Sequence, residues 1–184
     1  YSQSQGIYED LNNIALLLGY PQDKVVVTSV DSGGAFGGKE DLTVQGHAAV
    51  FCHHLHRPVK VSLSRPESIR MHPKRHPMRL DYTLGCNKNG KLTALNAVIL
   101  GDTGAYASKG PAVLGRSAAH AAGAYHVPSV DIEAKAVYTN NIPGGAMRGF
   151  GTNQVTFAME TMVEKLCATG GFDSWQFRYE NALD

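Results

Sequence analysis

The sequence predicts an α+β fold: a two-layer mixed sheet packed against helices. Three observations predict it. Met78, Leu80, Tyr82 and Leu84 alternate with polar residues, Lys91–Leu100 carries the following apolar run, and Asn89-Gly90 turns the chain between them, which is a hairpin pattern. Elsewhere apolar residues recur at three- and four-residue spacing, the period of a helix face. Strands and helices mix without strict βαβ alternation, and no repeat of roughly 20–50 residues is visible.

Taken in order, Ile7, Leu11, Ile14 and Leu18 form a helical stripe closed by Gly19 and Pro21. Lys24–Val30 is short and β-branched and reads as a strand. A glycine loop, Gly33–Gly38, follows, and Val44, Ala48, Phe51 and Leu55 predict a helix after it. Pro58–Leu63 alternates as a strand, and the hairpin comes next. Gly104–Gly123 is rich in small residues and reads as irregular with a short helix; Val130–Thr139 reads as a strand. A second glycine loop, Gly144–Gly151, precedes a helix carrying Val155, Met159, Met162 and Leu166, which ends near Gly170-Gly171. Asp173 and Gln176 open a last helix, Ser174–Leu183, in the manner of a capping box.

With 184 residues the chain reads as one segment, 1–184, able to bury a core. Its 17 basic and 16 acidic side chains leave a net charge of +1, so no electrostatic footprint for nucleic acid or an anionic membrane is expected. No apolar run approaches about 18 residues, the length of a membrane-spanning helix. Cys52, Cys86 and Cys167 are far apart, with neither a disulfide framework nor CxxC spacing, which favours a reducing, cytoplasmic setting. The start at Tyr1 and the end inside a helix read as a piece of a longer polypeptide.

The glycine loops carry the chemistry. Ser32-Gly33-Gly34-Ala35-Phe36-Gly37-Gly38-Lys39-Glu40 has phosphate-loop spacing from Gly33 to Lys39, but Glu40 stands where a hydroxyl should bind Mg²⁺. A dinucleotide loop needs GxGxxG, which GGxxGG lacks; a tight structural turn is the remaining reading. In Pro143–Gly151 glycines bracket Arg148 and Phe150, which suits a cation reaching an anion and a ring offering a flat face, or equally a surface cation and a core ring. Arg116 lies among Gly115, Ser117 and Ala118, either solvated or pointing into a pocket. His53, His54 and His56 end a helix, near its negative pole, with no carboxylate or Cys at ligand spacing. His72, Lys74, Arg75 and His76 read as a solvated turn. No GxSxG, HExxH or nucleophile–His spacing supports hydrolysis.

Taken together, GGAFGGKE at Gly33–Glu40 and GGAMRGFGTNQ at Gly144–Gln154 resemble the molybdenum hydroxylases, the xanthine dehydrogenase and aldehyde oxidase family. Arg57-Pro58-Val59, Arg75-His76-Pro77, Gly101–Tyr106, Tyr125–Pro128 and Thr139-Asn140-Asn141 are also similar to family landmarks, in order along nearly the whole chain. Met147 departs from the pattern, where Phe is usual. The resemblance implies part of a molybdopterin-binding domain. It implies hydroxylation of an electrophilic carbon with water as oxygen source, hydride passing to a molybdenum sulfido ligand, and electrons leaving through [2Fe–2S] centres and FAD on other domains or subunits. Phe36, Gly37 and Arg148 would hold the cofactor, and Phe150 would stack on a heterocyclic substrate. Glu40 and Arg116 match polar substrate contacts of the xanthine dehydrogenase-type members, with Arg116 stabilising transition-state charge, so purines are the implied substrates. Aldehydes and other N-heterocycles are the alternative; a non-catalytic glycine-rich binding domain is the reading outside the family. The family's catalytic Glu, its upstream glutamine motif and its iron–sulfur cysteines have no counterpart in these residues, so the remainder of the molybdopterin subunit and the iron–sulfur and FAD components are expected partners. The isolated chain is expected to be inactive.

Overall fold

The hairpin around Asn89-Gly90 seeds the only sheet among the described residues. The structure, a computed structural model, describes residues 1–183. Strand β1 (Met78–Cys86) pairs antiparallel with β2 (Leu92–Gly104), placing Leu80 opposite Ile99 and Leu84 opposite Leu95. Asn87 shapes the turn, its Oδ1 accepting from the N–H groups of Asn89 and Lys91 while Gly90 takes a positive φ of 78°. Strand β3 (Ser129–Tyr138) pairs parallel with β2 after the chain has crossed through helix α4 (Gly110–Ala119), so the sheet is mixed, in the order β1-β2-β3. The Gly104–Gly123 stretch therefore contains the short helix expected of it.

This sheet belongs to one of two compact units, Arg75–Gly144 with Gly149–Asp184. One face of β2 is buried through Leu95, Ala97 and Ile99, while Asn96 is exposed on the other. Helix α5 (Thr152–Gly170) brings Val155, Met159, Val163 and Cys167 to the core, all less than 5% exposed. The buried line thus advances every fourth residue, and Met162 and Leu166, expected in the stripe, pack along its margin. Helix α6 (Ser174–Asn181) starts where Asp173 caps the Gln176 N–H at 2.8 Å. At its end the buried Asn181 donates to Gly90 O (2.9 Å) and Phe177 O (2.8 Å) and accepts from Leu92 N (2.8 Å), tying helix to hairpin. Tyr125 donates to Glu160 at 2.6 Å, and Arg178 holds both Glu160 and Glu164.

The other unit comprises Tyr1–Lys74 with Gly145–Arg148. It holds helices α1 (Ile7–Leu18), α2 (Gln45–Leu55) and α3 (Arg65–Met71). Gly19 closes α1 in the left-handed region, as expected. Asp10, 1% exposed, accepts from Ser2 Oγ at 2.7 Å, and Ser2 Oγ in turn accepts from Gln45 Nε2 and Ser4 N.

Several elements differ from expectation. Val25–Val30 is extended but not a strand: Ser29 makes a single bridge with Ser2, and Val26 is 84% exposed. Val59–Leu63 alternates in burial as expected but has no partner among the described residues, and a strand exists only by pairing. Phe51 and Leu55 of the expected α2 stripe are exposed; Gly46 is the buried residue, against Leu17 and Leu42. Helix α3 is additional. Its signal was present in the sequence: Ser64 and Glu67 form a capping box with Pro66 in the first turn.

Replacing Asn181 by Ala leaves Leu92 N–H and Gly90 O without partners, so unfolding in denaturant should show a loss of about 2–4 kcal/mol; a loss within about 0.5 kcal/mol would contradict the clamp. Burial pushes the Tyr82 hydroxyl up to about 12, and burial followed by Glu160 does the same to Tyr125. Both are neutral when folded at a pH where an unfolded tyrosine, titrating near 10, has ionised. Their stabilising contribution is therefore complete below about pH 10 and is lost as pH rises through about 12. Tyr82→Phe should flatten that alkaline decline in a pH series of unfolding midpoints.

Candidate cofactor and substrate site

The first glycine loop is a tight turn with a strained apex. The Gly38 N–H donates to Ala35 O at 2.9 Å, Gly34 and Gly37 have φ of 119° and 89°, and Phe36 itself has φ 54°. A phenylalanine in the left-handed region costs on the order of 1–3 kcal/mol, yet its ring is 65% exposed. The base of the loop is tied to the N-terminal segment. Gln5 N–H donates to Lys39 O (3.1 Å), Lys39 N–H to Gln5 Oε1 (3.3 Å), and Gln5 Nε2 to Glu40 Oε1 (3.1 Å). Lys39 Nζ reaches back to Ser32 Oγ at 2.8 Å. Among the described residues the N–H groups of Phe36 and Gly37 make no hydrogen bond. The loop does not run directly into a helix, since α2 begins only at Gln45. It therefore lacks the helix N-terminus on which a phosphate loop depends.

Residues Gly145–Arg148 belong to this same unit. The Gly145 N–H donates to Lys74 O at 2.8 Å, and Ala146 is 1% exposed. A Cβ on Gly37 would lie 2.8 Å from Met147 N and 2.9 Å from Ala146 C. The two backbones pass too closely for any side chain there, and this contact sets Phe36 beside Arg148, whose guanidinium lies 6.0 Å from the ring centre. Phe36, Gly37 and Arg148, far apart in sequence, are thus brought together. Glu40 stands in the same unit, held by Gln5.

Arg116 and Phe150 are brought together in the other unit. Gly149, Phe150 and Gly151 all have positive φ (91°, 49° and 101°). A Cβ on Gly149 would collide with the Asn153 side chain, and one on Gly151 would lie 2.5 Å from Val113 O. The start of α5 therefore sits tightly on α4, the helix that carries Arg116, and the Arg116 guanidinium lies 5.3 Å from the Phe150 ring centre. Arg116 is exposed, as the solvated reading expects, with its guanidinium near an aromatic ring.

The sequence reading missed His76. Far from lying in a solvated turn, it is 2% exposed. A Cβ on Gly144 would lie 2.6 Å from its Cδ2, and its backbone oxygen accepts from Gln154 Nε2 at 3.2 Å. Flanking Pro73 and Pro77 with two basic neighbours gave no sign of burial. Gln154 Oε1 is buried without a hydrogen bond among the described residues. His53 Nδ1 shares a hydrogen bond with Tyr20 OH (2.8 Å), and no group of three or more metal-ligating side chains occurs among the described residues. Two cavities, about 790 Å³ beside β1 and α5 and about 1020 Å³ in the first unit, contain none of Phe36, Gly37, Glu40, Arg116, Arg148 or Phe150.

Each unit thus holds a glycine-framed phenylalanine with an arginine near its ring. The lineage of the chain is clear from comparison: residues 1–182 match the molybdopterin cofactor-binding domain, and the chain belongs to that family. It is 42% identical over 181 residues to a probable xanthine dehydrogenase subunit of Bacillus subtilis, covering 98% of this chain and 24% of that protein. It is 43% identical over 179 residues to the nicotinate dehydrogenase large molybdopterin subunit of Eubacterium barkeri, covering 97% of this chain and 42% of that subunit. Its fold matches the aldehyde oxidoreductase of Desulfovibrio gigas with a TM-score of 0.95 at 30% identity, over 100% of this chain and 20% of that one. The chain spans less than half the length of each of these relatives. No helix among the described residues is long and apolar enough to cross a membrane.

A matched pair of variants tests the close approach. Gly37→Ala should cost about 1–3 kcal/mol, because it strains φ and strikes backbone. Gly33→Ala, with nothing within 4 Å of the added carbon, should stay within about 0.5 kcal/mol. Equal effects in thermal unfolding would refute the close approach as the constraint.

Proposed function

We propose that this chain is the part of a molybdenum hydroxylase that cradles the molybdopterin cofactor and lines the substrate approach, and that the enzyme oxidises purines. The donor set fits such a group. Phe36 and Gly37 offer backbone N–H groups with no acceptor among the described residues, and Arg148 adds a cation close by. That combination suits an anionic, oxygen-rich ligand. When bound, the molybdenum cofactor supplies the oxygen transfer to carbon and accepts the electron pair. The chain's own residues bind and orient. Phe36 and Gly37 approach the cofactor through main chain, in a loop whose shape Gly37 permits by having no side chain against Ala146 and Met147. Arg148 balances negative charge beside it. Phe150 offers a ring face to a planar heterocycle, and Arg116, resting on that ring, stabilises negative charge developing on the substrate. Glu40 accepts from a ring N–H, its carboxylate oriented by Gln5.

The Arg116–Phe150 contact carries this reading, because it puts an exposed cation beside an aromatic ring that packs on the core. The iron–sulfur and FAD centres are assigned to other domains or subunits, and the free cysteines suit a cytoplasmic enzyme. A second reading, oxidation of another N-heterocycle or an aldehyde, draws on the nicotinate dehydrogenase relative and the aldehyde oxidoreductase structure. The complete enzyme, offered hypoxanthine and an aromatic aldehyde with a dye acceptor, should prefer hypoxanthine. Arg116→Leu and Glu40→Gln should each lower kcat/KM on the purine by about 2–4 kcal/mol of barrier and leave aldehyde turnover nearly unchanged. Preference for the aldehyde, or purine turnover indifferent to both substitutions, would overturn the purine assignment.

A further inference from the structure

Two landmarks of the sequence, Gly101–Tyr106 and Thr139-Asn140-Asn141, play no part in the function just described, yet the fold joins them at one side chain. Asp102, near the end of β2, accepts three hydrogen bonds: from Thr139 Oγ1 at 2.6 Å, from Asn141 Nδ2 at 2.5 Å, and from the Gly104 N–H at 2.8 Å. Its two oxygens divide the work, Oδ1 taking Thr139 and Gly104 while Oδ2 takes Asn141. Backbone bonds run alongside. The Thr139 N–H donates to Gly104 O (3.0 Å), the Ala105 N–H to Asn141 O (3.1 Å), and the Gly144 N–H to Thr103 O (3.0 Å). Gly104 is closed in from the other side, since a Cβ on it would lie 2.6 Å from Ile142 C.

This cluster sits where two functional segments depart. Past Gly104 and Ala105 the chain leads into α4, which carries Arg116; past Asn141 it leads to Gly144 and the second glycine loop. The start of α4 is seated on the same structure, because Gly110 packs directly against the Thr103 side chain, whose Oγ1 donates to Val137 O at 2.9 Å. We propose that Asp102 is a positioning residue: its carboxylate locks the exit of β3 to the exit of β2 and thereby sets the take-off of both α4 and the Gly144 segment. A carboxylate is the right group because all three partners are donors and it alone among small side chains offers acceptors on both oxygens. The hydrogen bonds from Thr139, Asn141 and Gly104 hold its pKa below the usual carboxylate range, with His76 contributing, so it stays ionised near neutrality.

The consequence for turnover rests on the role given above to Arg116; the anchoring itself does not. The test uses the complete enzyme, with Asn141→Asp, Asp102→Asn and the double variant, and reads hydrogen–deuterium exchange over residues 103–110 and 139–144 together with kcat/KM. Asn141→Asp sets two carboxylates against each other and should speed exchange in both segments by about tenfold or more. The double variant restores complementarity: the amide at 102 keeps its oxygen toward Thr139 and Gly104 and donates to the carboxylate at 141. It should return exchange to within about threefold of the parent, a coupling that independent sites would not show. Unchanged exchange in Asn141→Asp, or a double variant no better protected than Asn141→Asp, would overturn the proposal. Exchange that rises and is rescued while kcat/KM never moves would support the anchor and count against the role of Arg116 instead.

Discussion

The backbone of Gly37 runs against the backbone of Ala146 and Met147 at a distance that admits no side chain, and the geometry of the first loop follows from that contact. Because the two stretches of chain meet there, Phe36 is driven into a left-handed conformation with its ring outside, and Arg148 comes to lie over it. The strain at Phe36, on the order of 1–3 kcal/mol, persists because the surrounding chain over-determines it. Gln5 fixes both Lys39 and Glu40, and the Gly38 N–H closes the turn on Ala35. These hydrogen bonds hold the loop in one conformation.

The same device recurs at Phe150. Glycines on either side have positive φ, the Phe150 backbone is itself in the left-handed region, and an arginine lies near its ring. Here the close approach is that of Gly151 to the α4 backbone and Ser117, which brings two helices together where a side chain would separate them. Rigid elements behind this loop provide the stiffness: α5 through its fully buried Val155 and Met159, and the sheet through Leu95 and Ile99.

Periodicity made the second unit legible. The hairpin and α5 lie where alternation and helical spacing place them, α6 starts at its Asp173 cap, and β3 and the short α4 fall within the stretches read as a strand and as a small-residue segment with a short helix. The first unit was harder to read. Val25–Val30 and Val59–Leu63 have strand composition, but a strand is a property of a pair: the first has only the single Ser2–Ser29 bridge, and the second has no ladder partner among the described residues. Helix α3 is short and without a fully buried residue, so its capping box was its one signal. In the site, the glycine motifs identified the loops and their family, whereas neither Phe–Arg pairing could be read from spacing. Those contacts come from positive-φ residues that fold the loops back on distant chain. Burial of His76 was illegible for the same reason: Gly144, remote in sequence, packs on it.

If the close approach of Gly37 to Ala146 and Met147 shapes the loop that holds the cofactor, a side chain at Gly37 should cost the cofactor while one at Gly33 should not. Molybdenum and pterin content of the purified complete enzyme, compared between Gly37→Val and Gly33→Val, decides the matter. Near-stoichiometric molybdenum is expected in the Gly33 variant, and its loss from a folded Gly37 variant. Full retention of molybdenum and pterin in Gly37→Val would show that the close approach is not what holds the cofactor.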